Sequence, residues 1–261
     1  LGPDALAAST VAVNLLVVVM HMISGLGMAA SPLIAAELGR KRHSVREVRR
    51  TIRMALWLMV ILSVAGWAVL SNGEALLLFL GQEAEIASMG GRYLFWVQWG
   101  LLPAMIFGVL RHFVAALDRA HYALWVTLVM LVANAAGNYV LIFGHFGFPA
   151  LGLEGAALAS VGSNVIGALA LILFIHRNRM MRRFHLFGRL ARMDWARVRD
   201  LVRVGLPISA TMVFEVAIFS AAAFLMGLIG VNELAAHAIA LQAAALAFMV
   251  PLGIGQAATI R

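Results

Sequence analysis

The chain reads as an all-α integral membrane protein built on a repeated helical unit, and three observations carry that reading. Of its 261 residues, 63% are hydrophobic and 12% charged, with a mean hydropathy of +0.93, far above the roughly 45–50% apolar usage of soluble domains. Seven stretches, approximately 5–37, 54–72, 93–117, 121–143, 155–176, 204–231 and 234–260, match the length of about 20 apolar residues that a helix needs to cross the hydrocarbon core. Residues 229–261 also repeat residues 1–33. Gly2, Leu6, Ala7, Ala8, Ala12, Gly25, Gly27, Ala29 and Ala30 recur 228 positions later as Gly230, Leu234, Ala235, Ala236, Ala240, Gly253, Gly255, Ala257 and Ala258.

Self-similarity at a fixed offset marks duplicated architecture, and duplicated membrane bundles are characteristic of secondary transporters. The second copy stops at Arg261, before the equivalents of Pro32 to Leu38, and position 1 is not Met. The expectation is therefore an internal piece of a longer protein, with most of one repeat and the opening of the next.

Taken in order, the first segment has no Asp, Glu, Lys or Arg from Ala5 to Ala36. At 1.5 Å per residue that is roughly 48 Å of helix against a core of about 30 Å, so it must tilt, kink or project. Gly25, Gly27 and Pro32 are the expected places, and Pro251, Gly253 and Gly255 offer the same devices in the second copy. The loop after the first segment carries Arg40, Lys41, Arg42, Arg46, Arg49, Arg50 and Arg53. The loop after the second carries Glu74, Glu83 and Glu85, with only Arg92. The positive-inside rule makes the former cytoplasmic. The loop from Gly144 then falls outside, the stretch from Arg177 to Arg203 with its nine arginines inside, and the loop from Leu228 outside. Six crossings separate the two copies, an even number, so the repeats run parallel rather than inverted. Gly and Ala recur through GLEGAALASVGSNVIGALA (from Gly152) and AAHAIALQAAALA (from Ala235). Small residues let helix backbones approach closely in lipid, which predicts helix contacts along both faces.

Composition excludes several functions. The chain has no Cys, so thiolate metal sites, disulfides and cysteine nucleophiles are absent. The formal charge of +8 does not point to nucleic acid. Sixteen of the twenty basic residues sit in the two clusters between apolar segments, not interleaved with aromatics, and that placement serves topology. The first apolar stretch is too long for a cleavable signal and lacks a basic leader. A seven-span photoreceptor needs a lysine in a helix, and the only lysine is Lys41, in a loop. A membrane-embedded hydrolase needs a nucleophile with a base, or a metal constellation. The spans offer one central acid, and no His pair stands at i, i+4 beside a carboxylate.

That acid is Glu215, flanked by eleven uncharged residues from Val204 to Phe214 and seventeen from Val216 to Asn232. A carboxylate at membrane depth costs roughly 2.5–3.5 kcal/mol on insertion scales, so it is expected to face the bundle interior or a watery cavity. There it can bind a proton or sodium, or stay protonated and donate to a neighbouring helix. Asn134 and Asn138 lie one turn apart on one face of the fourth segment. Their amide oxygens can coordinate a hard cation or make interhelical hydrogen bonds. Asn14, His21, Gln98, His112, Asn164, His237 and Gln242 are scattered polar residues whose ordinary role is bundle contact. Gln98, His237 and Gln242 are the candidates among them for lining a substrate cavity. Arg111 lies near the cytoplasmic end of its segment and is expected to snorkel to the headgroups. Abundant Met and Phe suit either a cavity for ligands of varied shape or a lipid-facing surface.

The segments LGPDALAA (from Leu1), LFLGQEAEI (from Leu78), VLRHFVAALDRAHYAL (from Val109), NYVLIFG (from Asn138), GLEGAALAS (from Gly152), RVGLPISATMVFEVAIF (from Arg203) and ELAAHAIAL…FMVPLGIGQAATIR (from Glu233) resemble the multidrug and toxic compound extrusion family, NorM-like branch. Their order and spacing fit that family's second to eighth helices. The resemblance implies a twelve-helix transporter with two six-helix lobes around a central cavity. It assigns 1–176 to the N-terminal lobe without its first helix, 177–203 to a basic cytoplasmic loop joining the lobes, and 204–261 to the start of the C-terminal lobe. It implies an inner-membrane antiporter, not an enzyme, that exports organic, often cationic, compounds in exchange for H+ or Na+, without a cofactor and as a monomer in the bilayer. It places the family's cation-site glutamate at Glu215, and Asn134 and Asn138 near the acid of the absent first helix. The family pattern AAHQIALN reads AAHAIALQ here, with Ala238 and Gln242, which weakens any polar contact from position 238. The alternative with the same repeated architecture is an exporter or flippase of a lipid-linked oligosaccharide, which would need several Arg or Lys in its cavity to hold pyrophosphate.

Overall fold

Eleven α-helices make up the described part of the chain, which in this computed structural model covers residues 3–40, 45–147, 149–186 and 193–260. Lys41, Arg42, Arg189 and Arg192 of the two basic clusters lie outside it. Seven spans are long and apolar enough to cross a membrane, in the same chain order as the seven predicted stretches, and the protein is a multi-pass membrane protein.

The first span breaks where its glycines and proline predicted. Helix α1 (Pro3–Met28) and helix α2 (Ala30–Arg40) meet at Ala29, between Gly27 and Pro32. α1 is the hub of the bundle, packing on helices α3 (Val45–Leu70), α5 (Ala84–Val97), α6 (Leu101–Ala116) and above all α10 (Trp195–Ile229). The contact with α10 is a backbone approach. A Cβ on Gly25 would stand 2.5 Å from Ser209 Cα, and one on Gly205 would stand 2.7 Å from Leu26 Cα. Ser209 Oγ donates to the Met22 carbonyl at 2.9 Å across the same seam. The second copy behaves otherwise. α11 (Val231–Ile260) is unbroken, with Pro251 inside it, and its positions from Gln242 to Ala258 are exposed. Its main described contacts are with α10 and α2.

Between α3 and α5 a short helix, α4 (Gly73–Phe79), folds back on α5. The third span starts earlier than position 93: α5 runs from Ala84 through Arg92, which pairs with Glu154 at 3.8 Å, and a 3-10 turn at Gln98–Gly100 joins it to α6. α7 (Ala120–Phe143) and α8 (Gly152–Arg177) form the tightest pair. Here the small residues act as predicted: a Cβ on Gly155 would meet the Leu141 carbonyl oxygen at 2.5 Å, and one on Gly137 the Ala159 side chain at 3.1 Å.

The basic stretch 177–203 is only partly a loop. A single turn, α9 (Arg179–Arg182), follows α8, and α10 begins at Trp195, well before the predicted start at 204. An ionic network holds Arg197 there. Asp194 caps α10, its carboxylate accepting from Arg197 N at 3.3 Å and from Arg50 Nε at 2.8 Å. Arg50 also donates to both Glu47 oxygens at 3.0 and 2.8 Å. Arg197 Nη2 reaches Glu47 at 2.7 Å and Glu37 at 3.4 Å. Arg50 beside it holds the Asp194 carboxyl below the usual carboxylate range. The network ties the start of α10 to α2 and α3 at the arginine-rich end of the bundle.

Candidate functional site

Helical period brings one face of each of four helices, with Met59 of α3 and Asn164 of α8, together around a cavity of about 1040 Å³. From α10 come Met212, Glu215, Val216, Phe219 and Ser220, at i, i+3, i+4, i+7 and i+8. α1 contributes His21 and Ser24, and α6 contributes Ala104, Phe107, Gly108, Arg111 and His112. α11 closes the opposite wall with a stripe from Leu241 to Gln256. The lining is mainly apolar. Six of the fourteen methionines are in it, Met20, Met28, Met59, Met105, Met212 and Met249, together with three phenylalanines. Unbranched, polarisable thioethers adapt to ligands of different outline.

The polar groups are few: His21, Ser24, Arg111, His112, Asn164, Glu215, Ser220 and Gln256. His21 Nδ1 lies 2.7 Å from the Val17 carbonyl within α1. Glu215 is exposed to the cavity, and among the described residues it pairs with no basic side chain. It thus sits where an intramembrane acid was expected, on a wall open to solvent-sized ligands. Such a carboxylate can exchange one bound cation for another without rearranging an internal ion pair.

Several sequence assignments change. Arg111, expected to snorkel to the headgroups, also lines the cavity, because it stands three and seven residues beyond Gly108 and Ala104 on the same face of α6. That spacing was readable, and the apolar surroundings hid it. His112 and Asn164, taken as bundle contacts, also line the cavity. Gln98, His237 and Gln242, the cavity candidates, do not. Gln98 is buried and committed: its Oε1 accepts from Ser71 Oγ at 3.0 Å, its Nε2 donates to the Phe95 carbonyl at 3.1 Å, and its own carbonyl accepts from Trp67 Nε1 at 2.7 Å. Those bonds pin the 3-10 turn to α3. His237 lies a turn before Leu241, where the α11 stripe starts, and Gln242 stands at the edge of that stripe.

Asn134 and Asn138 do face one way, into the α7–α8 seam and away from the cavity. Asn138 Nδ2 donates to Asn134 Oδ1 at 3.1 Å, and Asn134 Nδ2 lies 3.5 Å from both Ser160 Oγ and Ser163 Oγ. Asn138 Oδ1 is buried there without a hydrogen-bond partner. The structure does not bring this pair together with Glu215.

Residues 1–140 match the family model MatE. The probable multidrug resistance protein NorM of Mesorhizobium japonicum is 48% identical over 263 residues, covering 100% of this chain and 56% of that protein. Its namesake in Brucella suis is 44% identical over 261 residues, covering 100% and 55%. The chain thus spans about half the length of the curated relatives it matches. Among solved structures, a MATE protein crystallised in the straight conformation superposes with a TM-score of 0.86 at 21% identity, over 100% of this chain and 57% of that one. The eukaryotic MATE transporter AtDTX14 gives 0.80 at 20%, over 100% and 57%. At those identities the likeness carries the fold.

Proposed function

The chain belongs to the MatE family, and from that premise we propose that it forms the substrate cavity of a multidrug efflux antiporter in a bacterial inner membrane. The observation that carries the reading is the cavity of about 1040 Å³ with Glu215 on its wall, amid methionine and phenylalanine side chains. Relatives described as probable multidrug resistance proteins support the substrate breadth. In this reading the basic loops face the cytoplasm, by the positive-inside rule. An organic cation and the coupling ion, H+ or Na+, compete for Glu215, because one negative site cannot stabilise both positive charges at once. Asn134 and Asn138 join α7 to α8 off this cavity, and any cation they coordinate is bound apart from Glu215. The lipid-linked exporter is less well supported: among the described lining residues Arg111 is the only Arg or Lys, one guanidinium where a pyrophosphate needs several.

The test is efflux of an organic cation from proteoliposomes under an imposed proton or sodium gradient, with Glu215→Gln at matched expression. The variant should insert and fold yet lose gradient-driven efflux, whereas Glu215→Asp keeps a fraction. Wild-type efflux from Glu215→Gln with unchanged gradient dependence would overturn the reading.

A further inference from the structure

We propose that the turn following α8 is a binding site for the headgroup of an anionic phospholipid. The inference rests on the membrane setting and on this turn, and not on the transport reading.

The turn starts where the span ends, since Arg177 is the last residue of the candidate span Gly152–Arg177. It is a built element and not a loose loop. Asn178 Oδ1 accepts from Met180 N at 3.0 Å and from Met181 N at 3.4 Å, which starts α9, and Asn178 Nδ2 donates to the Tyr122 hydroxyl at 3.4 Å. Met181, Phe184 and Leu186 are buried, with Phe184 edge-on against Phe113 at 5.3 Å between ring centroids. With these anchors turned inward, Arg177, Arg179, Arg182 and Arg183 all remain exposed, flanked by exposed His176 and His185.

Four guanidiniums within seven residues repel one another, and among the described residues none of the four pairs with a carboxylate. Arg50 and Arg197, a short way along the chain or the bundle, show the other solution: each is neutralised by two or more acids. The charge on the α9 turn is thus left for a ligand. Guanidinium forks match phosphate oxygens in bidentate geometry. At the membrane edge the phosphate at hand is that of a lipid. Exposed Met180, between Arg179 and the buried Met181, offers an apolar surface to the glycerol backbone beneath such a headgroup. Free phosphate would have no use for that contact.

The test titrates the detergent-purified protein with short-chain phosphatidylglycerol, phosphatidylcholine and inorganic phosphate, and counts adducts by native mass spectrometry. Phosphatidylglycerol should bind more tightly than either of the others. Each arginine near a charged headgroup contributes about fivefold, so Arg179→Gln with Arg182→Gln should weaken phosphatidylglycerol binding about 25-fold. Arg179→Lys with Arg182→Lys should retain most of it and shows that the turn tolerates substitution. Arg46→Gln with Arg49→Gln removes the same charge from the start of α3 and should leave binding unchanged. An equal loss in both glutamine pairs, equal binding of the two lipids, or inorganic phosphate binding as tightly as phosphatidylglycerol would each overturn the proposal.

Discussion

Gly25 and Gly253 hold the same place in the repeat, 228 residues apart, yet an added Cβ would stand 2.5 Å from the Ser209 backbone at the first and meet nothing within 4 Å at the second. Gly27 and Gly255 differ in the same way, the first 3.2 Å from Met59 Sδ and the second open. The first copy is broken at Ala29 and packs on α3, α5, α6 and α10, whereas the second is one continuous helix whose main described neighbours are α10 and α2. Both copies carry glycines and a proline. Helix devices permit a kink, and in the first copy the break lies where α1 packs closely against α10 and α3.

The sharpest way to break this comparison is to place the same methyl in both copies. Gly25→Ala should force the α1–α10 seam apart and cost about 1–3 kcal/mol, the range of overpacking a tight contact. Gly253→Ala should leave thermal stability unchanged or slightly raised, since it adds a better helix former in open space. Equal melting temperatures for the two variants would mean that the seam is not closely packed.

A smaller effect separates what else holds the first copy. Glu37, at the end of α2, is tied to α10 through Arg197, whose side chain is 12% exposed. Arg197→Met removes the basic partner of Glu37 and one of the two of Glu47, which keeps Arg50. The cost should be about 1–2 kcal/mol, between the value of an exposed ion pair and that of a buried one, read as a shift in denaturation midpoint. Gly25→Ala should remain the more damaging of the two.

The smallest effect is in pH. The Asp194 carboxyl lies below its ordinary value, first because Arg50 donates to it. A group lowered on folding contributes stability that is fully present above its unfolded value near 4, and this is lost as pH falls through the folded value. Melting curves between pH 6 and pH 3 should show wild type losing this increment, and Asp194→Asn should show a flatter profile over the same window.

The comparison also explains how much was legible beforehand. The seven spans and the copy offset follow from runs of apolar residues, a property of the chain alone. The wall position of Glu215 followed from the cost of an acid at membrane depth. Gln98 was misread because its partners Trp67 and Ser71 come from α3 and the turn after it, and no spacing within the chain reveals that they meet it. The place of Arg111 on the cavity was hidden for the opposite reason: its face was regular, but which neighbour that face would meet is settled only when α10 and α11 assemble opposite it. The early start of α10 depended on Asp194 finding Arg50, 144 residues away.

The central claim is that the coupling ion and an organic cation compete for Glu215, and the direct measurement is equilibrium binding of a fluorescent organic cation to the purified protein across a range of proton and sodium concentrations. Wild type should lose apparent affinity as the coupling ion rises. Glu215→Gln should bind the dye more weakly and with no dependence on either ion. Competition of wild-type strength in Glu215→Gln would contradict the account and place the exchange at some other group.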